Sequence, residues 1–223
     1  MTEEEWLTVR NPTQMLEQIQ GRASDRKLRL FVVACCRILW NELKDERSRS
    51  AIEIAERFAD NVASRKELES AFQASYNAVD DCLIVSPVAE DQAIAANLTA
   101  ANAVREPIAL AALAEQSGCV AMHAVKYAWN GDLAMSQHRQ TDLLRDIFGS
   151  PFRPIVADPA WLTPTAVAIA TAIYADRAFE RMPILADALE EAGCTNEDVL
   201  LHCRSDGQHV RGCWVVDLLL GKE

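Results

Sequence analysis

From Ser24-Asp25 onward, the apolar residues Leu28, Phe31, Val32, Cys35, Leu39 and Leu43 recur at steps of three and four. That interval matches a helix of 3.6 residues per turn, whereas a half-buried strand needs alternation at every second residue. The same rhythm runs through the chain, and start and stop signals punctuate it. Thr2 with Glu5 is a capping-box pattern, and Asn11-Pro12 places a cap and a first-turn proline before Met15, Leu16 and Ile19. Ser64 precedes Leu68, Phe72, Tyr76 and Val79. Ser86-Pro87 opens an alanine-rich stretch through Ala103, and Pro107 marks a fresh start. Helical spacing continues through Val120, His123 and Tyr127 to a turn at Asn130-Gly131, then through Leu133, Leu143, Leu144 and Ile147 to Gly149.

The last third carries the sharpest local signals. Thr163-Pro164 starts one helix, Pro183 starts another that Gly193 ends, Thr195 to Asp198 reads as a capping box, and Val210 to Leu220 reads as a final helix before Gly221. These signals predict an all-α fold, an irregular multi-helix bundle of about ten helices. Trp6-Leu7-Thr8 is echoed by Trp161-Leu162-Thr163, which keeps a short α-solenoid as the alternative. Three of the eight prolines fall between Ser150 and Pro159. A boundary there predicts an alanine-rich antiparallel bundle over 1–149 and a short-helix subdomain over 150–223 packed on it.

Charge narrows the partners. The chain has 22 basic and 33 acidic residues, a net charge of -11, with the acidic excess spread over both halves. Such a field repels nucleic-acid phosphates and anionic lipid unless a strong basic patch overrides it. The best candidate patch is the stripe Arg26, Arg29, Arg37, Trp40 and Lys44. Glu46, Glu53, Glu56 and Asp60 follow at matching intervals, so pairing between two antiparallel helices accounts for both stripes. Another protein is therefore a more natural partner than nucleic acid.

The segment Met1 to Trp6 lacks the basic start and apolar run of a secretory signal. The most apolar stretches, Pro107 to Ala114 and Ala166 to Ala175, are too short to span a bilayer. Seven cysteines, an odd number, sit within helix-patterned segments such as Ala34-Cys35-Cys36-Arg37. Reduced, buried thiols in a cytoplasmic protein are the expectation, with no membrane contact.

Recognisable catalytic signatures are missing from the sequence: no glycine-rich phosphate loop, no His-Glu-x-x-His, no nucleophile elbow and no Cys-x-x-Cys. The chain offers no catalytic residue and no cofactor to name. The densest chemistry is the set Cys194, His202, Cys203, His209 and Cys213, side-chain types that bind zinc when four converge. Adjacent His202 and Cys203 leave a helix roughly 100° apart and so do not both face one ion. The spacings also follow no common zinc pattern, so buried core cysteines are favoured and no metal ligand is assigned.

Three further groups are candidates for binding. Asp217 sits on a final helix that is apolar nearly all round, and Arg204, His209 and Arg211 are close enough in sequence to satisfy its carboxylate. Arg153 lies on the proline-stiffened loop Phe148 to Pro154, a few residues before Trp161, where it either anchors a ligand or bonds exposed carbonyls. Trp214 follows Cys213 in the same C-terminal stretch. His123 and His138 read as a core and a surface histidine.

These residues carry a resemblance. Ala23 to Phe31, Leu143 to Gly149 with the following Pro-Phe-Arg-Pro, Asp158 to Thr163, Pro183 to Cys194, His202-Cys-Arg204 and His209 to Asp217 resemble a large uncharacterised bacterial family common in planctomycetes. The resemblance implies a bacterial cytoplasmic protein and carries over no activity, cofactor or catalytic residue. The leading expectation is thus a non-enzymatic helical module for protein interaction or regulation. The rival is an enzyme or small-ligand receptor with its site where the loop 150–161 meets the C-terminal hairpin. A structural zinc protein is the third reading.

Overall fold

The computed structural model describes residues 1–38, 40, 41, 43, 45–85 and 133–222. The alanine-rich helix, Pro107, His123 and the Asn130-Gly131 turn lie outside the described residues, as do Leu39 and Lys44. Among the described residues the chain forms ten α-helices, two 3-10 turns and no strand, the multi-helix bundle that the periodicity predicts. No described helix is long and apolar enough to cross a membrane.

The chain divides into two compact units, Met1–Leu144 and Arg145–Glu223. The division falls inside helix α6 (Leu133–Phe148), a few residues before the proline-rich loop. The last turn of this helix belongs to the second unit because Asp146 bonds to residues of the C-terminal segment.

In the first unit, α1 (Glu3–Thr8) opens with the expected capping box: Thr2 Oγ1 accepts from the Glu5 amide at 3.2 Å, and the Thr2 amide donates to Glu5 Oε2 at 2.7 Å. Asn11 caps α2 (Pro12–Ile19) by accepting from the Thr13 amide. Helices α3 (Asp25–Ile38), α4 (Glu46–Ala59) and α5 (Arg65–Val85) pack in sequence. The two charge stripes meet as anticipated, with Arg26 on Asp60 at 3.2 Å and Arg37 on the buried Glu56 at 2.7 Å. Arg29 is itself buried and lies over the Phe58 ring. Helix α3 stops sooner than its apolar rhythm suggests, and Leu43 is buried from the turn that leads to the Asp45 cap of α4.

The second unit contains α7 (Pro164–Asp176), α8 (Met182–Glu191), α9 (Glu197–Arg204) and α10 (Trp214–Leu220), after a 3-10 turn at Pro159–Trp161. Helix α7 packs on α8 and α10, and α8 packs on α9. Ile173, Met182, Leu185, Leu189, Val199, Val215 and Val216 form one buried cluster. Each such side chain contributes about 1.5–3 kcal/mol through its removal from water.

Two local details depart from the sequence reading. The α9 cap is Asn196, not Thr195: its side chain accepts from the Val199 amide at 3.2 Å. Asn196→Ala is therefore expected to lower stability by about 1 kcal/mol and Thr195→Ala, at an exposed position, by much less, as urea titration will measure. The last helix begins at Trp214 instead of Val210. The Val210 amide is given to Asp146 Oδ2 at 2.9 Å, and Gly212 takes φ 95°, so this stretch is a turn.

Candidate metal centre

On helix α6, Asp146 follows the buried Leu143 by three residues, which puts its carboxylate on a buried side of the helix. A buried carboxylate must find donors. Asp146 finds them in three places: Oδ1 lies 2.7 Å from His209 Nδ1 and 3.2 Å from His202 Nε2, and Oδ2 accepts from the Val210 amide.

The histidines arrive from the C-terminal segment. His202 stands on the last turn of α9, where the Ser205 amide bonds back to its carbonyl and ends the helix. His209 and Cys213 flank the turn that leads into α10. Cys213 Sγ lies 3.3 Å from His202 Nε2 and 3.9 Å from His209 Nδ1. One donor atom each from Asp146, His202, His209 and Cys213 thus lies within 4.8 Å of all the others. Four donors held at about 2.0–2.3 Å around a tetrahedral zinc ion stand roughly 3.3–3.8 Å apart. Four of the six separations are 2.7, 3.2, 3.3 and 3.9 Å and all six lie within 4.8 Å, so the donors are gathered to about that spacing without being set at it.

The site is enclosed. Cys213 is fully buried, Asp146 and His209 nearly so, and His202 keeps 16% of its side chain exposed. Burial alone raises the Asp146 pKa, but hydrogen bonds from His202 and His209, together with their charges, outweigh it and hold the carboxyl below its ordinary value. At Cys213 burial raises the thiol pKa and the Asp146 charge adds to it, while the amides of Val216 and Val215 pull the other way; the balance lies well above the ordinary value. A bound cation reverses that balance, because a coordinating thiol loses its proton outright.

The outer edge of the His209 ring also has a neighbour. Ser205 Oγ donates to the His202 carbonyl at 2.9 Å and lies 3.4 Å from His209 Nε2. Metal-ligating histidines are oriented by such contacts.

Of the five residues that suggested zinc, the structure brings His202, His209 and Cys213 together and sends Cys194 and Cys203 into the apolar core. The angular offset between His202 and Cys203 is the reason. Burial first, and the neighbouring Cys194 thiol second, push the Cys203 thiol up to about 12. At pH 8 its thiolate fraction is on the order of 10⁻⁴. Cys203 is accordingly expected to resist iodoacetamide in the folded chain and to react once urea unfolds it, as peptide mass mapping will read.

Asp146 is absent from the set that the sequence singles out. A carboxylate on the buried side of an amphipathic helix is the available signal, but nothing local connects it to histidines some 60 residues away.

The other candidates go to separate tasks. Arg153 pairs with Asp198 at 3.2 Å on the surface. Arg204 binds Asp187 and Glu190, also at the surface. Arg211 donates to the Tyr174 carbonyl at the end of α7 and lies over the Tyr174 ring, which Lys222 also covers. Trp161 packs against the C-terminal core, and Asp217 is buried on α10. Trp214 packs beside His202, their ring centroids 5.1 Å apart.

No family model, curated protein or solved structure matches the chain.

Proposed function

We propose that this is a zinc-binding helical protein whose C-terminal unit is held together by a structural metal ion. The observation that carries the reading is the convergence of Asp146, His202, His209 and Cys213, each offering a donor atom within 4.8 Å of the others in a largely buried site. Mixed sulfur, imidazole and carboxylate donors in this number suit zinc. Four protein donors complete a tetrahedron and leave no open position for water or substrate, which favours a structural over a catalytic ion. Asp146 comes from the end of α6, His202 from α9, and His209 and Cys213 from the turn before α10, so the ion joins three segments. A closed centre of this kind accords with a module that binds other proteins better than with an enzyme.

Elemental analysis of the tag-free protein from a metal-replete preparation tests the reading. About one equivalent of zinc is expected, with Cys213→Ser and His209→Ala each reducing it to a trace. A trace in the unaltered protein overturns the proposal.

A further inference from the structure

Trp214 lies against both Gly149 and His202. We infer that Trp214 is a positioning residue for the metal, holding the His202 imidazole in its ligating orientation, and that Gly149, whose φ of 61° already favours glycine, also leaves the room that the indole occupies. The inference rests on the metal-binding reading.

Two independent observations carry it. On one side, the His202 ring meets the indole at a centroid distance of 5.1 Å and a tilt of 49°, while its other neighbour is the His209 ring at 4.8 Å and 76°. His202 is flanked by two rings, and it is the most exposed of the four donors. An imidazole at the last turn of a helix turns about two side-chain bonds, and the flanking rings restrict that motion. On the other side, Gly149 follows α6 with φ 61°, and a Cβ placed there would stand 3.1 Å from Trp214 Cγ and 3.2 Å from Cδ2. The indole therefore lies against a backbone bare of any side chain. One short segment supplies both Asp146, a ligand, and the floor beneath the tryptophan that backs another ligand.

Partners of this kind are worth about 10–100-fold in metal affinity. The test uses the full chain, titrated with Co²⁺ while its visible absorption is recorded, and with Zn²⁺ in competition. Trp214→Ala is expected to weaken binding by about 10–100-fold and to change the Co²⁺ band pattern, because His202 no longer holds one orientation. Trp214→Phe recovers most of the loss by restoring a flat ring. Gly149→Ala keeps the indole but displaces it, and gives an intermediate loss with an altered spectrum. Thermal unfolding of each metal-free variant separates a loss of general stability, which leaves the spectrum of the loaded protein unchanged.

Folded Trp214→Ala protein with wild-type affinity and spectrum overturns the inference. If that variant does not fold, Gly149→Ala decides, and wild-type affinity and spectrum there overturn it equally. Failure of the unaltered chain to take up Co²⁺ or Zn²⁺ overturns the metal reading itself, a result distinct from either of these.

Discussion

Removing the metal with a chelator is expected to lower the unfolding midpoint of the Arg145–Glu223 unit by roughly 15–30 °C. An ion that binds only the folded state, at a free concentration about 1,000-fold above its dissociation constant, adds about 4 kcal/mol. A unit of this size shifts by about 4–8 °C per kcal/mol. All four donors belong to this unit, and in the unfolded chain they are scattered between Asp146 and Cys213, so the intact set exists only after folding. Circular-dichroism melts with and without chelator, followed by addition of zinc, measure the effect. The transition of Met1–Leu144, which contributes none of the four, should move little. Identical melts for the whole chain in chelator and in zinc would exclude a structural ion.

Replacing Asp146 should have the next largest effect, and it should persist without metal. The carboxylate meets two imidazoles through Oδ1 and the Val210 amide through Oδ2. Asp146→Ala leaves these buried polar groups without their acceptor, an effect of about 3–5 kcal/mol. Asp146→Asn keeps an acceptor for the Val210 amide but puts an NH2 in place of the oxygen that faces the two imidazoles, for about 1–3 kcal/mol. Both variants lose metal affinity, since each removes the anionic oxygen donor. Urea denaturation of the metal-free proteins gives the ranking wild type, Asn, Ala. Equal midpoints for all three would show that Asp146 does not organise the cluster.

Much of the fold is legible in local sequence. The caps at Thr2, Asn11 and Thr163 are where the side-chain pattern puts them, because a cap bonds an amide two or three residues away. The facing stripes of α3 and α4 are equally readable: two neighbouring helices with matched opposite charges have one economical arrangement, and Arg26–Asp60 and Arg37–Glu56 adopt it. Helix ends are less secure where a tertiary partner competes. At Val210 the apolar rhythm continues to Leu220, yet the amide bonds to Asp146, 64 residues earlier, and the helix waits until Trp214.

The centre divides along the same line. His202, His209 and Cys213 stand close enough in sequence to be recognised as metal-binding types, and the angle of roughly 100° between adjacent helical positions already separates His202 from Cys203. The fourth donor and the tryptophan backing have no such local signature. Local sequence determined an all-helical fold, because caps and 3.6-residue periodicity are interactions within a few positions of each other. Only the tertiary structure decided that Asp146 meets the C-terminal histidines and cysteine, because that meeting depends on closing a chain segment of about sixty residues.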